Sequence, residues 1–384
     1  MGRRLIAMSK VFLGDVAKER KETCKDGKDG YPIVGLEHLI PEEINLLSWD
    51  EDKENTFTKI FRKGDVLFGR RRAYLKKAAV APFDGICSGD ITVIEPIPEK
   101  ILPELLPFII QNDAFFDYAI NKSAGSLSPR VKWEYLKNYK FELPDMDKQR
   151  ELAKVLWAME ATKKSYQKLL QKTDELVKAQ FVEQFVIGNP YPRKRLGDYV
   201  EQIRGVSYKP SDIRTTLDEN SILLLRANNI SSGKINHIDV QYVAREKVSA
   251  EQIIRLNDIL MCGSSGSIEH VGKTAICERD AVGETFGAFC KLIRTKGELL
   301  PKYIATYFET DEYRKIIMQL ACGSNINNLK SEHIDNLMVP IPPKGVQEQF
   351  VTFVCQCDKS KFELEQALAE LNDTYKKIIS ENLG

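Results

Sequence analysis

The chain has 384 residues, 43% of them hydrophobic and 29% charged, with 56 Lys and Arg against 55 Asp and Glu. This composition excludes a disordered or fibrous protein, and a formal net charge of +1 excludes a polycation that coats nucleic acid by bulk charge. A local basic site stays open, because opposite charges can segregate along a chain.

The N-terminus has a basic start but too few apolar residues before Lys10 for a secretory core. No apolar run approaches the ~18 residues that a membrane span needs. A cytoplasmic location is therefore expected. The eight cysteines form no CxxC pair, and most sit in apolar runs such as Ala275-Ile276-Cys277, where a reduced cysteine is a small hydrophobe.

Taken in chain order, the predicted elements repeat. A first body, residues 1–147, carries short strands around 65–69, 78–81 and 91–94, then a short helical piece over 103–121. A long helix follows in 148–187 and is stopped by Gly188-Asn189-Pro190-Tyr191-Pro192. A second body, residues 188–345, has strands around 222–225 and 258–261 and a helical piece over 301–320, before a second long helix in 346–384. The predicted class is α+β, two pseudo-repeated mixed α/β bodies with two long helices. The repeat is legible as sequence: Leu13-Gly14-Asp15 returns as Leu196-Gly197-Asp198, and Gly64-Asp65-Val66-Leu67 as Asn257-Asp258-Ile259-Leu260. From Leu102-Pro103 against Leu300-Pro301 onward the offset settles at 198, through Gly125-Ser126 against Gly323-Ser324 to Gln149 against Gln347. Smaller offsets earlier in the chain mean that the second copy has gained loop residues.

The long helices carry apolar residues at alternating three- and four-residue steps. In the first these are Leu152, Val155, Met159, Tyr166, Leu169 and Leu176. In the second they are Phe350, Phe353, Leu364, Leu368, Leu371, Tyr375 and Ile378. Such spacing predicts two helices that pair, each about 55 Å long at 1.5 Å per residue. The competing reading is two surface helices that pack only on their own bodies.

Catalytic patterns fail one after another. Gly266 and Gly272 before Lys273-Thr274 are separated by five residues where a phosphate-binding loop needs four, and a strand follows instead of a helix. Asn189-Pro190-Tyr191-Pro192 has the wrong order for an amino-methyltransferase signature. Residues 41–54 hold six acids and one lysine, which reads as a solvated loop and not a nuclease centre. The four histidines are scattered without metal-ligand spacing, and no serine sits in a nucleophile elbow. No catalytic centre or metal site is expected.

What remains is polar and basic. Residues 62–77 hold seven bases and one acid, including Arg70, Arg71, Arg72, Lys76 and Lys77. Arginine forks match O6 and N7 of guanine and also neutralise phosphates; a solvated hairpin edge is the plainer alternative. The equivalent stretch of the second copy is small and polar, with Ser264, Ser265 and Ser267. A second pair of loops sets Ser126, Arg130 and Lys132 against Ser324, Asn325, Asn327 and Lys330. Arg226, Asn228 and Asn229 add a polar run in the second copy. All of these are candidate DNA-binding residues; as turn residues they would be equally ordinary.

Together these features resemble the specificity subunit of type I restriction–modification systems, across essentially the whole chain. The resemblance is carried by residues 64–68 and 257–261, by Gly-Lys-Thr-Ala-Ile at 272–276, by Ala-Gly-Ser at 124–126 with Cys-Gly-Ser at 322–324, and by Pro-Ile-Pro-Pro-Lys-Gly-Val-Gln-Glu-Gln at 340–349. Residues 143–150 and the arginine triplet 70–72 depart from the family pattern. The resemblance implies that each body is a target recognition domain reading half of a split, asymmetric site in double-stranded DNA. It implies antiparallel pairing of the long helices, which would set the spacer between half-sites and dock methyltransferase subunits, two of them expected. A restriction/translocase subunit is left open as a further partner, and no membrane is implied. The chain itself would be non-catalytic and hold no cofactor, with S-adenosylmethionine, ATP and Mg²⁺ on the partner subunits. The rival class is a scaffolding protein whose duplicated arms bind other proteins.

Overall fold

The structure, a computed structural model, describes residues 9–24, 30–52, 54–188, 190–321 and 327–384. It divides into two compact units, Met1–Gln167 with Glu365–Gly384, and Lys168–Leu364. Both mix helix and sheet, and both are built on one plan.

In the first unit a four-stranded antiparallel sheet runs in the order Ala17–Glu19, Ile91–Pro96, Val66–Gly69, Ala78–Val80. In the second unit the order is Val200–Arg204, Cys290–Thr295, Ile259–Cys262, Thr274–Ile276. The central strands, Val66–Gly69 and Ile259–Cys262, are buried at every position, which explains why they read as unbroken apolar runs without alternation. Each is entered by a residue in the left-handed region, Gly64 at φ 92° and Asn257 at φ 69°. Gly and Asn are the residues that adopt this backbone at least cost, so the Gly-Asp and Asn-Asp pairs are two spellings of one turn. The aspartate that follows is buried in both units. Asp65 accepts from the Arg62 N–H at 2.7 Å and pairs with Arg20; Asp258 accepts from the Arg255 N–H at 2.7 Å and pairs with Arg294.

A second sheet also repeats. Ile33–Val34 runs parallel to Gly85–Cys87 in the first unit, as Ser221–Leu225 does to Thr285–Phe286 in the second. The hairpin Ile230–Ser231 with Lys234–Ile235 has no counterpart among the described residues of the first unit, in keeping with loop residues gained by the second copy.

The long helices are Met146–Phe185 and Lys344–Leu383, 40 residues each. Each is seated by a buried glutamine near its start. The Gln149 Oε1 accepts from the Leu102 N–H at 2.8 Å while its Nε2 donates to the Pro144 carbonyl; Gln347 does the same with Leu300 at 2.9 Å and Pro342. Within the first unit, Leu152, Ala153 and Leu156 of the first helix share a core with Ile379 and Leu383 at the far end of the second. Within the second unit, the Phe181 and Phe185 rings lie 5.5 and 5.2 Å from Phe350 near the start of the second helix, and Lys361 Nζ is 2.5 Å from Asp174. Start meets end in one unit and end meets start in the other, which is antiparallel pairing.

The seam differs in detail from the sequence expectation. Val155, Leu169 and Leu176 are about half exposed and lie off it, while Leu156, Val177, Phe181 and Phe185 are buried. The steps 152–156 and 177–181–185 are four residues, because these ends pack on the bodies as well as on the partner helix, unlike a 3.5-residue seam. Met159, Tyr166, Phe353, Leu364, Leu368, Leu371, Tyr375 and Ile378 are partly buried. No helix among the described residues is long and apolar enough to cross a membrane.

Candidate nucleic-acid interface

In the first unit the chain leaves the central strand at Arg70 and meets a loop sixty residues further on. The Val131 N–H donates to the Arg70 carbonyl at 3.0 Å and the Arg72 N–H to the Pro129 carbonyl at 2.8 Å; Ala124 and Arg130 exchange backbone bonds across the second loop. Beneath this surface Asp90 accepts from Arg130 Nε at 2.7 Å and Arg71 Nη1 at 3.3 Å. The hydrogen bond from Arg130 is the main cause holding the Asp90 carboxyl below its ordinary range, and the same bond raises the Arg130 guanidinium. Arg71 donates also to Ser128 Oγ at 3.1 Å.

The candidate cations of this unit therefore divide. Arg71 and Arg130 are fixed on one carboxylate. Lys76 lies 2.5 Å from Asp113, and Lys77 donates to the Leu36 carbonyl at 2.7 Å, so both are engaged in holding the fold. Arg70 is half-buried. Arg72, Ser126 and Lys132 are exposed, and the Arg72 and Lys132 side chains have no partner among the described residues.

The second unit brings together the equivalent loops. The Leu329 N–H donates to the Gly263 carbonyl at 2.9 Å, the counterpart of Val131 to Arg70. Ser264–Ser265 pairs antiparallel with Asn327–Asn328, Ser264 Oγ donates to Asn328 Oδ1 at 2.6 Å, and Asn327 Nδ2 donates to the Gly266 carbonyl at 3.3 Å. Ser267 and Lys330 are exposed, Lys330 at 3.4 Å from Glu332. Ser324 and Asn325 lie outside the described residues. A cleft of 480 Å³ is lined by Arg226, Asn228, Ser264 and Ser265 together with Tyr208 and Phe289. Arg226 is held at its rim by Asp239, 2.9 Å away.

Asn229 is a correction. It is fully buried, its Nδ2 donating to the Asn236 and Ile238 carbonyls and its Oδ1 accepting from the Arg226 N–H, so it shapes the turn and is unavailable to a nucleic acid. Asn328 and the exposed Phe289 also stand at this surface, outside the candidates chosen from the sequence. Asn328 stands beside Asn327 in the same polar loop and was within reach of sequence reasoning. Phe289 is an apolar residue in the turn just before the strand Cys290–Thr295, which sequence does not distinguish from core. Glu37, His38 and Asp50 place donor atoms within 4.8 Å of one another. His38 Nδ1 accepts from the Gly35 N–H at 2.9 Å, which puts the ring proton on the Nε2 that faces Asp50. That is a hydrogen-bonded turn, and it offers a metal no free imidazole nitrogen.

The family model described as type I restriction modification DNA specificity domain matches residues 7–173 and, a second time, residues 206–372. The chain is 38% identical over 168 residues to the type I restriction enzyme StySPI specificity subunit of Salmonella potsdam; the match covers 43% of this chain and 36% of that relative, little more than a third of its length. A chain from the structure concerning complex assembly and conformational transition of the type I R-M system superposes with a TM-score of 0.61 at 20% identity, covering 99% of both chains. The type I restriction-modification system S subunit from M. genitalium gives 0.56 at 11% identity, covering 100% of this chain and 98% of the other. At those identities the likeness is one of fold. The double match covers most of the sequence and coincides with the doubled sheets and loops, and on that ground the chain belongs to the family of type I restriction modification DNA specificity domains, carrying the domain twice.

Proposed function

We propose that the chain is the sequence-reading subunit of a type I restriction–modification system, acting in the cytoplasm on a split, asymmetric site in double-stranded DNA. The observation that carries this reading is one loop architecture made twice with different side chains. The backbone bonds from Val131 to Arg70 and from Leu329 to Gly263 are equivalent, yet one frame presents arginines and the other serines and asparagines. A fixed frame with exchanged side chains is what reading two different half-sites requires.

In this reading the chain is non-catalytic. The long helices dock two methyltransferase subunits, which bring S-adenosylmethionine and the pocket for a flipped adenine; a restriction/translocase subunit would bring ATP and Mg²⁺. Arg72, Ser126 and Lys132 in one unit, and Asn228, Ser265, Ser267 and Asn328 in the other, are the residues offered to DNA.

The test is to map methylated adenines across the genome of cells carrying the full chain, then to replace residues 11–147 with the same segment of a relative. A bipartite motif in which one half changes and the other stays supports the reading. A change in both halves, or no methylation that depends on the chain, removes it.

A further inference from the structure

Resting on the DNA-reading function proposed above, we infer that Arg72 is a specificity-determining residue of the first unit, and that it reads guanine at one position of its half-site. Seven bases crowd residues 62–77, but the structure leaves few of them free. Arg71 and Arg130 share Asp90, Lys76 lies against Asp113, and Lys77 is spent on a backbone carbonyl. Arg72 is exposed and has no side-chain partner among the described residues.

Its backbone is held firmly. Arg72 sits in the left-handed region at φ 54°, its N–H is bonded to the Pro129 carbonyl at 2.8 Å, and its own carbonyl accepts from the Leu75 N–H at 2.9 Å. Its preceding neighbour Arg71, and Arg130, which bridges to Arg71 across the joined loops, are both tied to Asp90. The fixed base sets where the guanidinium can reach, and its planar fork supplies the paired donors that a bidentate contact requires.

Guanine offers two acceptors, O6 and N7, on its major-groove edge. Adenine sets an amino donor beside its N7 and would face the fork with one donor against another. Lys132, on the adjoining segment and also unpartnered, is a compact point charge suited to a phosphate, which has no base identity. Leu127, two residues before Pro129 and 89% exposed, places an apolar group on the same loop pair, where it can meet a thymine methyl and keep water from the contact. In the second unit the position equivalent to Arg72 is Ser265, so this guanine requirement belongs to one half-site alone.

The experiment maps methylated adenines genome-wide in cells whose full chain is wild type, R72K, R72A or K132A. Lysine is a fair replacement because Lys76, four residues on, already adopts φ 49°. In the wild type one half-site is expected to contain an obligate G·C pair. In R72K that position becomes degenerate, its discrimination falling about 10- to 100-fold, the size of a lost bidentate contact. The rest of the motif and the other half-site stay as they were. K132A keeps the whole motif and lowers methylation at every site alike.

If R72K retains the wild-type motif while R72A loses methylation evenly over all sites, Arg72 holds a phosphate and the inference is overturned. It is overturned also if both variants leave the methylome unchanged. Absence of chain-dependent methylation in the wild type is a different result: it removes the DNA-reading function itself, and the role of Arg72 with it.

Discussion

A buried carboxylate costs free energy unless its charge and its hydrogen-bonding capacity are both met. Asp258 meets these conditions with two bonds from the Arg294 guanidinium, at 2.8 and 2.7 Å, and one from the Arg255 N–H. Its counterpart Asp65 does so with Arg20, which enters just after the first strand of the sheet, whereas Arg294 lies on the adjacent strand. The carboxylate is thus kept in both copies while its partner has moved across a strand pair. Asp258→Ala leaves a largely buried guanidinium unpaired and is expected to cost about 3 kcal/mol, read as a shift in a urea unfolding curve. Asp90 makes the opposite kind of pair, partly exposed and serving position more than stability. Arg130 holds its folded-state pKa below the ordinary value. Its contribution is therefore present above the unfolded carboxylate pKa of about 3.9 and is lost as the pH falls through the lower folded value. Asp90→Asn should accordingly be less stable than the wild type at pH 7, with the two converging toward pH 2. A difference that persists at pH 2 would mean that the substitution acts through packing and not through charge.

At the scale of elements, the two long helices combine opposite requirements. Where they end against a body they are ordinary core helices, with Leu156, Phe181 and Phe185 buried. Elsewhere they are polar, and Val155, Leu169 and Leu176, which share one heptad position, are open to solvent. Truncating the two sets of residues should separate stability from assembly. Leu156→Ala and Phe181→Ala each empty a packed site and are expected to destabilise by about 3 kcal/mol. Leu169→Ala removes no buried contact and should stay within about 0.5 kcal/mol of the wild type. If this face docks the methyltransferase subunits, Leu169→Ala should nevertheless lower methylation in cells. Equal melting curves for Leu156→Ala and the wild type would show that the seam is misplaced.

For the whole molecule, the near-balance of 56 bases and 55 acids is an average over segregated patches. The acids of 41–54 lie close in sequence to the bases of 62–77, and several ion pairs, such as Lys76 with Glu42 and Asp113, cancel charge locally. In this stretch few cations are then left free to displace counterions from DNA. Each phosphate neutralised adds about 0.9 to the slope of log binding constant against log salt. On the proposed function, the isolated chain should therefore bind duplex weakly and with a shallow slope, and the methyltransferase subunits proposed to dock on it should steepen it. Fluorescence anisotropy over a salt series tests this; tight binding by the chain alone at moderate salt would contradict it.

Duplication, helix placement and the family likeness were all open to sequence reasoning, because they rest on spacing and on residue types that the backbone demands: Gly64 and Asn257 at a left-handed turn, glutamines 198 residues apart seating two helices. Which polar residues are available was not open to it. Asn229 and Lys77 read like their neighbours, yet one is buried in a turn and the other is spent on a carbonyl. Arg71, Arg72 and Arg130 are chemically alike, and only the approach of two distant loops over Asp90 separates the fixed from the free. The local sequence specifies what each residue can donate or accept. Tertiary structure decides which of those capacities the fold itself consumes, since a donor satisfied inside the protein has nothing left to offer a base or a phosphate.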